Sequence, residues 1–332
     1  MPPSDDVPGM RRWVQELFMS EAYNKEKARF RSKYPQDLKK VNKSIVPVST
    51  PGQKDEAFDI WVYEPFLDEQ SSSSELRPAI LMFHGGGWIH GNPVGDEVFS
   101  ELLAALLNSV VIGVDYRLAP EHRFPAPVDD GMRALRWLSD HAPQYRVDIT
   151  RVGLFGASAG GNIAAACALK SLEVATARDW VLRLVSLVVP VTAHPKAEAI
   201  FDKQRETEQS QNEKVFASAP PLPEIVTLEL TKLFGKCLYG GEQLDPCDRY
   251  ASPLASKQVP DHPPTLMTIA GCDFLRPQGL KYAQFLRSSG VQVEEDILPG
   301  VPHGFTFALN SELVTSWFER QVEAFRNAFN TC

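Results

Sequence analysis

The stretch that decides the fold is Phe155–Gly161, which reads FGASAGG and places Ser158 between closely spaced glycines. An apolar, β-branched run comes before it and a helical pattern follows it. A serine on a tight turn from strand to helix takes strained backbone angles, so the residues two before and two after it need to be glycine or nearly so. Such a turn lifts the hydroxyl clear of the backbone, and the following helix directs free N–H groups toward negative charge that a reaction creates. The stretch therefore predicts an activated serine nucleophile.

Short β-rich runs are spread along the chain, and from the third onward they alternate with helical patterns. The predicted strands are 44–50, 58–65, 78–84, 110–116, 152–155, 185–191, 265–271 and 291–298, and the predicted helices of the alternation are 97–107, 128–141, 161–171, 279–288 and 311–329. This order predicts an α/β fold with an eight-stranded, mostly parallel sheet and helices on both faces.

Two regions fall outside the alternation. Residues 1–43 look helical and amphipathic, and residues 193–255 come between two central strands, with helical candidates at about 196–209 and 224–233. An insertion at the carboxyl end of a strand lies over the crevice where α/β sheets bind ligands. We therefore predict a catalytic core of residues 44–192 and 256–332 and a helical cap, or lid, of residues 1–43 and 193–255.

A second glycine-rich loop, HGGGW at His84–Trp88, follows a buried strand pattern. Successive glycines let the backbone approach a substrate closely, and fixed N–H groups stabilise the negative charge that acyl transfer places on a carbonyl oxygen. We expect the donors to be the N–H groups of Gly86, Gly87 and Ala159. His84 belongs to this loop, and we expect it to hydrogen-bond backbone rather than act as a base.

A serine hydroxyl needs a base that removes its proton. His303 lies in the loop between the last strand and the last helix, which makes it the candidate among seven histidines. Asp273 follows a buried strand and would hold the imidazole in one tautomer. Other acids compete by charge alone and do not follow the carboxyl end of a buried strand: Asp245, Asp248, Glu295 and Asp296. The order serine, aspartate, histidine is that of α/β-hydrolases.

The polar run Asp115–Asp130 leaves a buried strand and is a candidate for a second acid cluster. Its three prolines fix the backbone, and Arg117 can pair with a neighbouring carboxylate. We therefore interpret this run as a scaffold beneath the site.

Several motifs in this order resemble the hormone-sensitive-lipase-like, or class IV, carboxylesterases. They lie within residues 78–305 and are HGGGW, the run 115–130, the serine motif through Asn162, and HGF at 303–305. The resemblance implies an α/β-hydrolase fold under a lid, with Ser158, Asp273 and His303 as triad and with the oxyanion hole named above. Two positions depart from the family: Ala157 stands where Asp or Thr is usual, and Phe274–Gln278 replaces the usual Pro-Leu-x-Asp-Glu.

The sequence thus predicts a serine carboxylic ester hydrolase that acts on small or medium esters through an acyl-serine, with no metal or organic cofactor. The candidate walls of the substrate pocket are Trp88, Phe18 and Phe216, together with Phe30, Phe201 and Leu222, although each of them could equally belong to the core of the lid. Cleavage of an amide, formamide, lactone or thioester by the same triad, for example in secondary metabolism, stays open because the machinery does not fix the leaving group. A non-catalytic receptor of this fold is a further alternative. Retention of His303 argues against it, because the plant gibberellin receptor has lost that histidine.

Composition and charge exclude several classes of protein. Hydrophobic residues at 43% and charged residues at 23% exclude a disordered or fibrous chain. A net charge of −8 gives no attraction to nucleic acid or anionic membranes. The five cysteines are widely spaced without a metal-binding pattern, and no apolar stretch is long enough to span a membrane, so we expect a cytoplasmic protein. Nothing in the pattern selects an oligomeric state.

Overall fold

The structure, a computed structural model, describes residues 6–35, 40–50, 53–66, 76–174, 179–194, 197, 228–240 and 245–331. Its strands form one eight-stranded sheet in the order β1-β2-β4-β3-β5-β6-β7-β8. The strands are β1 Val41–Thr50, β2 Gln53–Pro65, β3 Arg77–Phe83, β4 Val110–Asp115, β5 Val147–Ala157, β6 Leu182–Val188, β7 Thr265–Ala270 and β8 Val293–Leu298. The β1–β2 and β2–β4 pairs are antiparallel and all others are parallel. The predicted fold class is confirmed.

Every predicted strand is present, although some ends differ. β1 begins at Val41, three residues before the predicted strand and within the segment 1–43 that was predicted as cap. β5 begins at Val147 instead of residue 152, because its first half is only partly buried and lacks the apolar run that marked its second half.

The helices of the described residues are α1 Val7–Met19, α2 Glu21–Arg31, α3 Glu97–Leu107, α4 Ala126–Tyr145, α5 Ala159–Glu173, α6 Leu228–Tyr239, α7 Arg276–Ser288 and α8 Glu312–Asn330. α3 has the predicted bounds, and α6 overlaps the candidate at 224–233 but continues six residues beyond it. The helical candidate at 196–209 lies outside the described residues apart from residue 197.

The sheet is buried on both faces by two apolar clusters. Along β3, Ala79, Leu81 and Phe83 belong to the cluster that includes α4, α5 and α7. Ile80 and Met82 point to the other cluster, which includes α1, α2, α3 and α8. Successive side chains of a strand point to opposite faces, so a strand buried on both sides is apolar throughout. Because the strands from β3 to β8 are parallel, their carboxyl ends lie side by side at one edge of the sheet.

Candidate active site

Ser158 lies at the junction of β5 and α5, in a conformation that few residues adopt. Its φ is +56° and its ψ is −115°, and α5 begins at the next residue. A Cβ on Gly156 would lie 2.1 Å from the carbonyl oxygen of Gly160, and one on Gly160 would lie 2.0 Å from that of Phe83. Both positions therefore accept only glycine, as the sequence pattern requires.

Neighbouring backbone holds this turn in place. The Ser158 N–H donates to the Val188 carbonyl at 2.8 Å, and the Ser158 carbonyl accepts from the N–H groups of Asn162 and Val191. The Asn162 amide donates in turn to the carbonyls of Val191 and Ala251. Because each of these backbone groups has a partner, the strained serine keeps one position, and the residue is partly exposed.

A continuous chain of hydrogen bonds joins the three predicted triad residues. His303 Nε2 lies 2.8 Å from Ser158 Oγ, and His303 Nδ1 lies 2.7 Å from Asp273 Oδ2. The other oxygen of Asp273 accepts from the Leu275 N–H at 2.9 Å. With the carboxylate at Nδ1, that nitrogen carries the proton, and Nε2 is free to accept from the serine hydroxyl. The histidine and the aspartate are both buried.

The competing acids are engaged elsewhere. Asp245 and Asp248 accept from backbone N–H groups in their own loop. Glu295 pairs with Arg287, and Asp296 pairs with Arg320.

The glycine loop lies directly against the nucleophile. A Cβ on Gly85 would lie 3.7 Å from the Ser158 Cβ. Gly86 and Gly87 have φ values of +127° and +58°, a region that favours glycine. Ala159 is the first residue of α5, so its N–H belongs to the unpaired first turn of the helix. The three candidate oxyanion donors thus come from the two glycine-rich segments that meet at Ser158.

His84 shapes this loop, as expected. Its Nδ1 lies 2.7 Å from the Gly85 carbonyl oxygen, and its ring stacks on Tyr116 with the centroids 4.1 Å apart. The Tyr116 hydroxyl donates to the His84 carbonyl at 2.9 Å. Burial lowers the pKa of His84 to about 4, which keeps the imidazole neutral at physiological pH.

Comparison with known proteins agrees with this geometry. A family model described as alpha/beta hydrolase fold matches residues 80–307, more than half of the chain. The chain belongs to the hormone-sensitive-lipase-like family of α/β-hydrolases. The family resemblance predicted from the motifs is therefore confirmed.

Relatives of this α/β-hydrolase include bacterial and archaeal proteins. Esterase LipI of Mycobacterium tuberculosis is 30% identical over 228 residues, which are 69% of this chain and 65% of LipI, less than two thirds of its length. Ethyl acetate hydrolase of Pseudomonas putida is 32% identical over 245 residues, 74% of this chain and 70% of that protein. A solved structure, the esterase of Pyrobaculum calidifontis, has a TM-score of 0.74 at 27% identity and covers 98% of this chain and 94% of that one.

In this α/β-hydrolase, Arg11 of α1 holds the N-terminal helix to the residue that directly follows the glycine loop. Its Nε donates to the Ile89 carbonyl and one Nη donates to the Ala119 carbonyl, both at 2.7 Å. Its guanidinium also forms a two-point ion pair with Glu121 at 2.9 and 2.7 Å. Sequence analysis did not single out Arg11, because the partners of a helix arginine depend on where the helix docks.

The predicted pocket walls have different positions. Trp88 is buried, with its ring centroid 6.1 Å from that of Tyr239, and Phe18 is buried against Tyr23 and Phe307. Phe30 is fully buried against Phe99 and Phe318, which is the core position that the sequence left open for it beside the pocket wall. Phe216, Phe201 and Leu222 lie outside the described residues.

The sequence reasoning missed Phe234. This residue of α6 covers Gly87: a Cβ on that glycine would lie 2.3 Å from the ring of Phe234. The predicted helix at 224–233 ended one residue before it, whereas α6 continues to Tyr239. The apolar residues from Leu233 to Leu238 were the available signal.

Asp130 is the centre of the scaffold predicted beneath the site. Arg117 donates to its two oxygens through Nε and Nη2 at 2.8 to 3.1 Å, and Arg133 adds a bond of 3.1 Å. Because Asp130 is fully buried, these charged partners are needed to offset its desolvation. The predicted pairing of Arg117 with a neighbouring carboxylate is confirmed.

Gln278 stands where the family usually has the glutamate of Pro-Leu-x-Asp-Glu. It connects the segment after Asp273 to the segment after Val191, whose N–H donates to the Ser158 carbonyl. Its Oε1 accepts from the N–H groups of Thr192 and Ala193 at 2.7 and 3.1 Å. Both residues directly follow Val191 in the chain. A neutral amide oxygen thus accepts two backbone N–H groups at a position where the family usually has a carboxylate.

Among the described residues, no cluster of three or more His, Cys, Asp or Glu side chains could hold a metal ion. Within that same part of the chain, no helix is long and apolar enough to cross a membrane.

Proposed function

We propose that this α/β-hydrolase is a serine carboxylic ester hydrolase that acts through an acyl-serine intermediate. The observation that carries the proposal is the unbroken hydrogen-bond chain from Ser158 Oγ through His303 to Asp273. The names of two relatives support ester hydrolysis in particular: esterase LipI and ethyl acetate hydrolase. A receptor without catalysis has less support, because His303 is present and within hydrogen-bond distance of the serine.

In the proposed mechanism, Ser158 Oγ attacks the ester carbonyl while His303 Nε2 takes its proton. Asp273 holds the imidazole in the required tautomer and stabilises the imidazolium. The N–H groups of Gly86, Gly87 and Ala159 hold the oxyanion, supporting the transition state more than the ground state. His303 then passes the proton to the leaving alcohol, and the acyl-serine forms.

Deacylation repeats these steps with water as the nucleophile. His303 Nε2 takes a proton from water, the hydroxide attacks the acyl carbonyl, and the proton returns to Ser158 Oγ as the carboxylic acid leaves. Neither half of the cycle needs a metal or an organic cofactor.

We assign the core to residues 41–192 and 256–332, with the cap formed by the N-terminal helices and residues 193–255. The contacts of Arg11 with the residue after the glycine loop, and of Phe234 with the loop itself, support a cap that borders the site. We also place the protein in the cytoplasm, because its described cysteines are all free: Cys167, Cys237, Cys247 and Cys272.

The test is the variant Ser158→Ala assayed with p-nitrophenyl acetate. We expect turnover to fall by roughly a millionfold, as removal of the nucleophile does in other serine hydrolases. A fluorophosphonate probe should label the wild-type protein and not the variant. The exposed Ser288→Ala change serves as the control and should leave both readouts unchanged.

The amide alternative is tested on the same preparation by comparing p-nitrophenyl acetate with p-nitroacetanilide, which has the same acyl group. We expect cleavage of the ester and at most slow cleavage of the anilide. Substantial turnover by Ser158→Ala, or no labelling of the wild type, would contradict the proposal.

A further inference from the structure

Phe234 of the cap helix α6 is in van der Waals contact with the candidate oxyanion loop. A Cβ on Gly87 would lie 2.3 Å from the Cδ2 atom of this ring. Since a carbon–carbon bond is about 1.5 Å long, the Gly87 Cα itself lies within about 3.8 Å of the ring. The ring therefore occupies the space that a side chain at position 87 would fill.

Several contacts fix the end of α6 that carries this ring. Phe234 is only 6% exposed, and its ring meets that of His90 edge to face at 5.9 Å. The Phe124 N–H donates to the Leu238 carbonyl at 3.0 Å. The Tyr239 hydroxyl donates to the Ala251 carbonyl at 3.3 Å. With helix and ring both anchored to the core, Phe234 is a fixed wall beside the loop.

Sheet order shows which part of an ester would meet this wall. The glycine loop follows β3, on one side of β5 and Ser158, whereas Asp273 and His303 follow β7 and β8 on the other side. The leaving alcohol takes its proton from His303 Nε2, so the alcohol lies on the β7–β8 side. The carbonyl oxygen points to the N–H donors of the glycine loop. The acyl group is bonded to the same carbon and is directed away from the alcohol, so it lies next to that oxygen on the β3 side, where the ring of Phe234 stands.

We propose that Phe234 sets the acyl specificity of this site by restricting it to short, apolar acyl groups such as acetyl. The inference rests on the proposed ester hydrolysis and adds a residue that limits chain length. The ring offers an apolar surface without hydrogen-bonding groups, which suits an alkyl chain. A chain long enough to reach the space above Gly87 would collide with it.

The experiment measures kcat/KM for two series of esters with the wild type and Phe234→Ala. One series varies the acyl chain from acetate to octanoate with p-nitrophenol as the constant alcohol. The other varies the alcohol from ethyl to hexyl with acetate as the constant acyl group. We expect the hexanoate-to-acetate ratio to rise roughly tenfold or more, since each methylene in an apolar pocket changes specificity by about that factor. The ratios within the alcohol series should stay unchanged.

The matched control is Phe124→Ala, which removes another aromatic contact of α6, that with Tyr239, and keeps the backbone hydrogen bond from position 124 to Leu238. It should leave the acyl ratios as in the wild type. Phe234→Leu should raise the hexanoate-to-acetate ratio by less than Phe234→Ala does. It replaces the alanine variant if that variant does not fold. Labelling by a fluorophosphonate probe shows that each variant keeps a reactive serine.

Unchanged acyl ratios in a labelled Phe234 variant, or a change confined to the alcohol series, would overturn the proposal. A wild type that neither hydrolyses esters nor reacts with the probe would instead overturn the proposed function. The two failures are therefore distinguishable.

Discussion

Ser158 shows how single residues determine the candidate site. Its left-handed backbone angle carries a strain of about 1–3 kcal/mol, which the surrounding structure must offset. Hydrogen bonds to Val188, Asn162 and Val191 stabilise the turn, and the glycines at 156 and 160 allow the backbone to pass. This conformation directs the hydroxyl toward His303. Strain at this residue is thus part of what makes the serine available.

Gly86 offers a test at the same scale. We expect Gly86→Ala to lower kcat/KM by roughly 100- to 1,000-fold, the effect of losing one oxyanion donor. The new Cβ would lie 2.0 Å from the His90 carbonyl oxygen, and a φ of +127° is open only to glycine, so the loop must move. Steady-state kinetics with a short ester measures the effect.

The control for this change is Gly279→Ala in α7, where the nearest atom to an added Cβ is 3.7 Å away. It should leave kinetics unchanged and stabilise the helix by up to about 1 kcal/mol. Near-normal turnover by Gly86→Ala would show that the loop does not supply the oxyanion donor.

At the level of the elements, Arg11 joins the N-terminal helix α1 to the residue that directly follows the glycine loop. Arg11 donates to the carbonyls of Ile89 and Ala119, each at 2.7 Å. We expect Arg11→Met to raise KM several-fold with a smaller change in kcat, because the cap helix would lose its register over the site. Loss of these bonds should also cost about 1–3 kcal/mol of folding free energy.

Kinetics and chemical unfolding measure these two effects, and limited proteolysis reports whether α1 is cut more readily. Arg12→Met is the matched control, since Arg12 is the next residue of the same helix and its side chain is exposed. Equal behaviour of the two variants would contradict a special role for Arg11.

Comparison of the predicted and observed helices shows which local signals were sufficient to place the ends of a helix. Periodicity identified α3 residue for residue, whereas α4 was predicted at 128–141 and runs from Ala126 to Tyr145. The two additional residues at its start include Pro127, which the first turn of a helix tolerates. Its last turn contains Pro143, and a proline in a helical pattern predicts that the helix stops before it. α5 begins at Ala159, before the glycine pair that delayed its predicted start, because packing on the sheet outweighs the low helix propensity of glycine.

At the level of the whole molecule, burial of histidines couples stability to pH. Burial lowers the pKa of His262 from 6.5 to about 4, so this side chain is neutral in the folded protein. As the pH falls below 6.5, the unfolded chain binds a proton there that the folded protein does not, and stability decreases. This contribution is fully present above pH 6.5 and is lost progressively down to about pH 4.

The pair of wild type and His262→Gln isolates this effect from other groups. Asp96, whose pKa burial raises to about 7, acts in the opposite direction but is common to both proteins. We expect the stability difference between wild type and variant to fall by about 1.4 kcal/mol or less for each pH unit below 6.5. Urea unfolding at pH 7.5, 6.0 and 5.0 measures the difference. A difference that stays constant across this range would contradict the burial of a neutral His262.

The sequence by itself determined the strand and helix alternation, the turn at Ser158, and the order of serine, acid and histidine. These features are local: apolar periodicity, glycines that a backbone angle requires, and polar residues that directly follow buried strands. Only the tertiary structure decided that His303 reaches Ser158 across a separation of 145 residues, that Arg11 binds the residue after the glycine loop, 78 residues away, and that Phe234 covers Gly87. Such contacts depend on how the elements pack around the sheet, and many packings are compatible with the same local pattern, so no short stretch of sequence contains them.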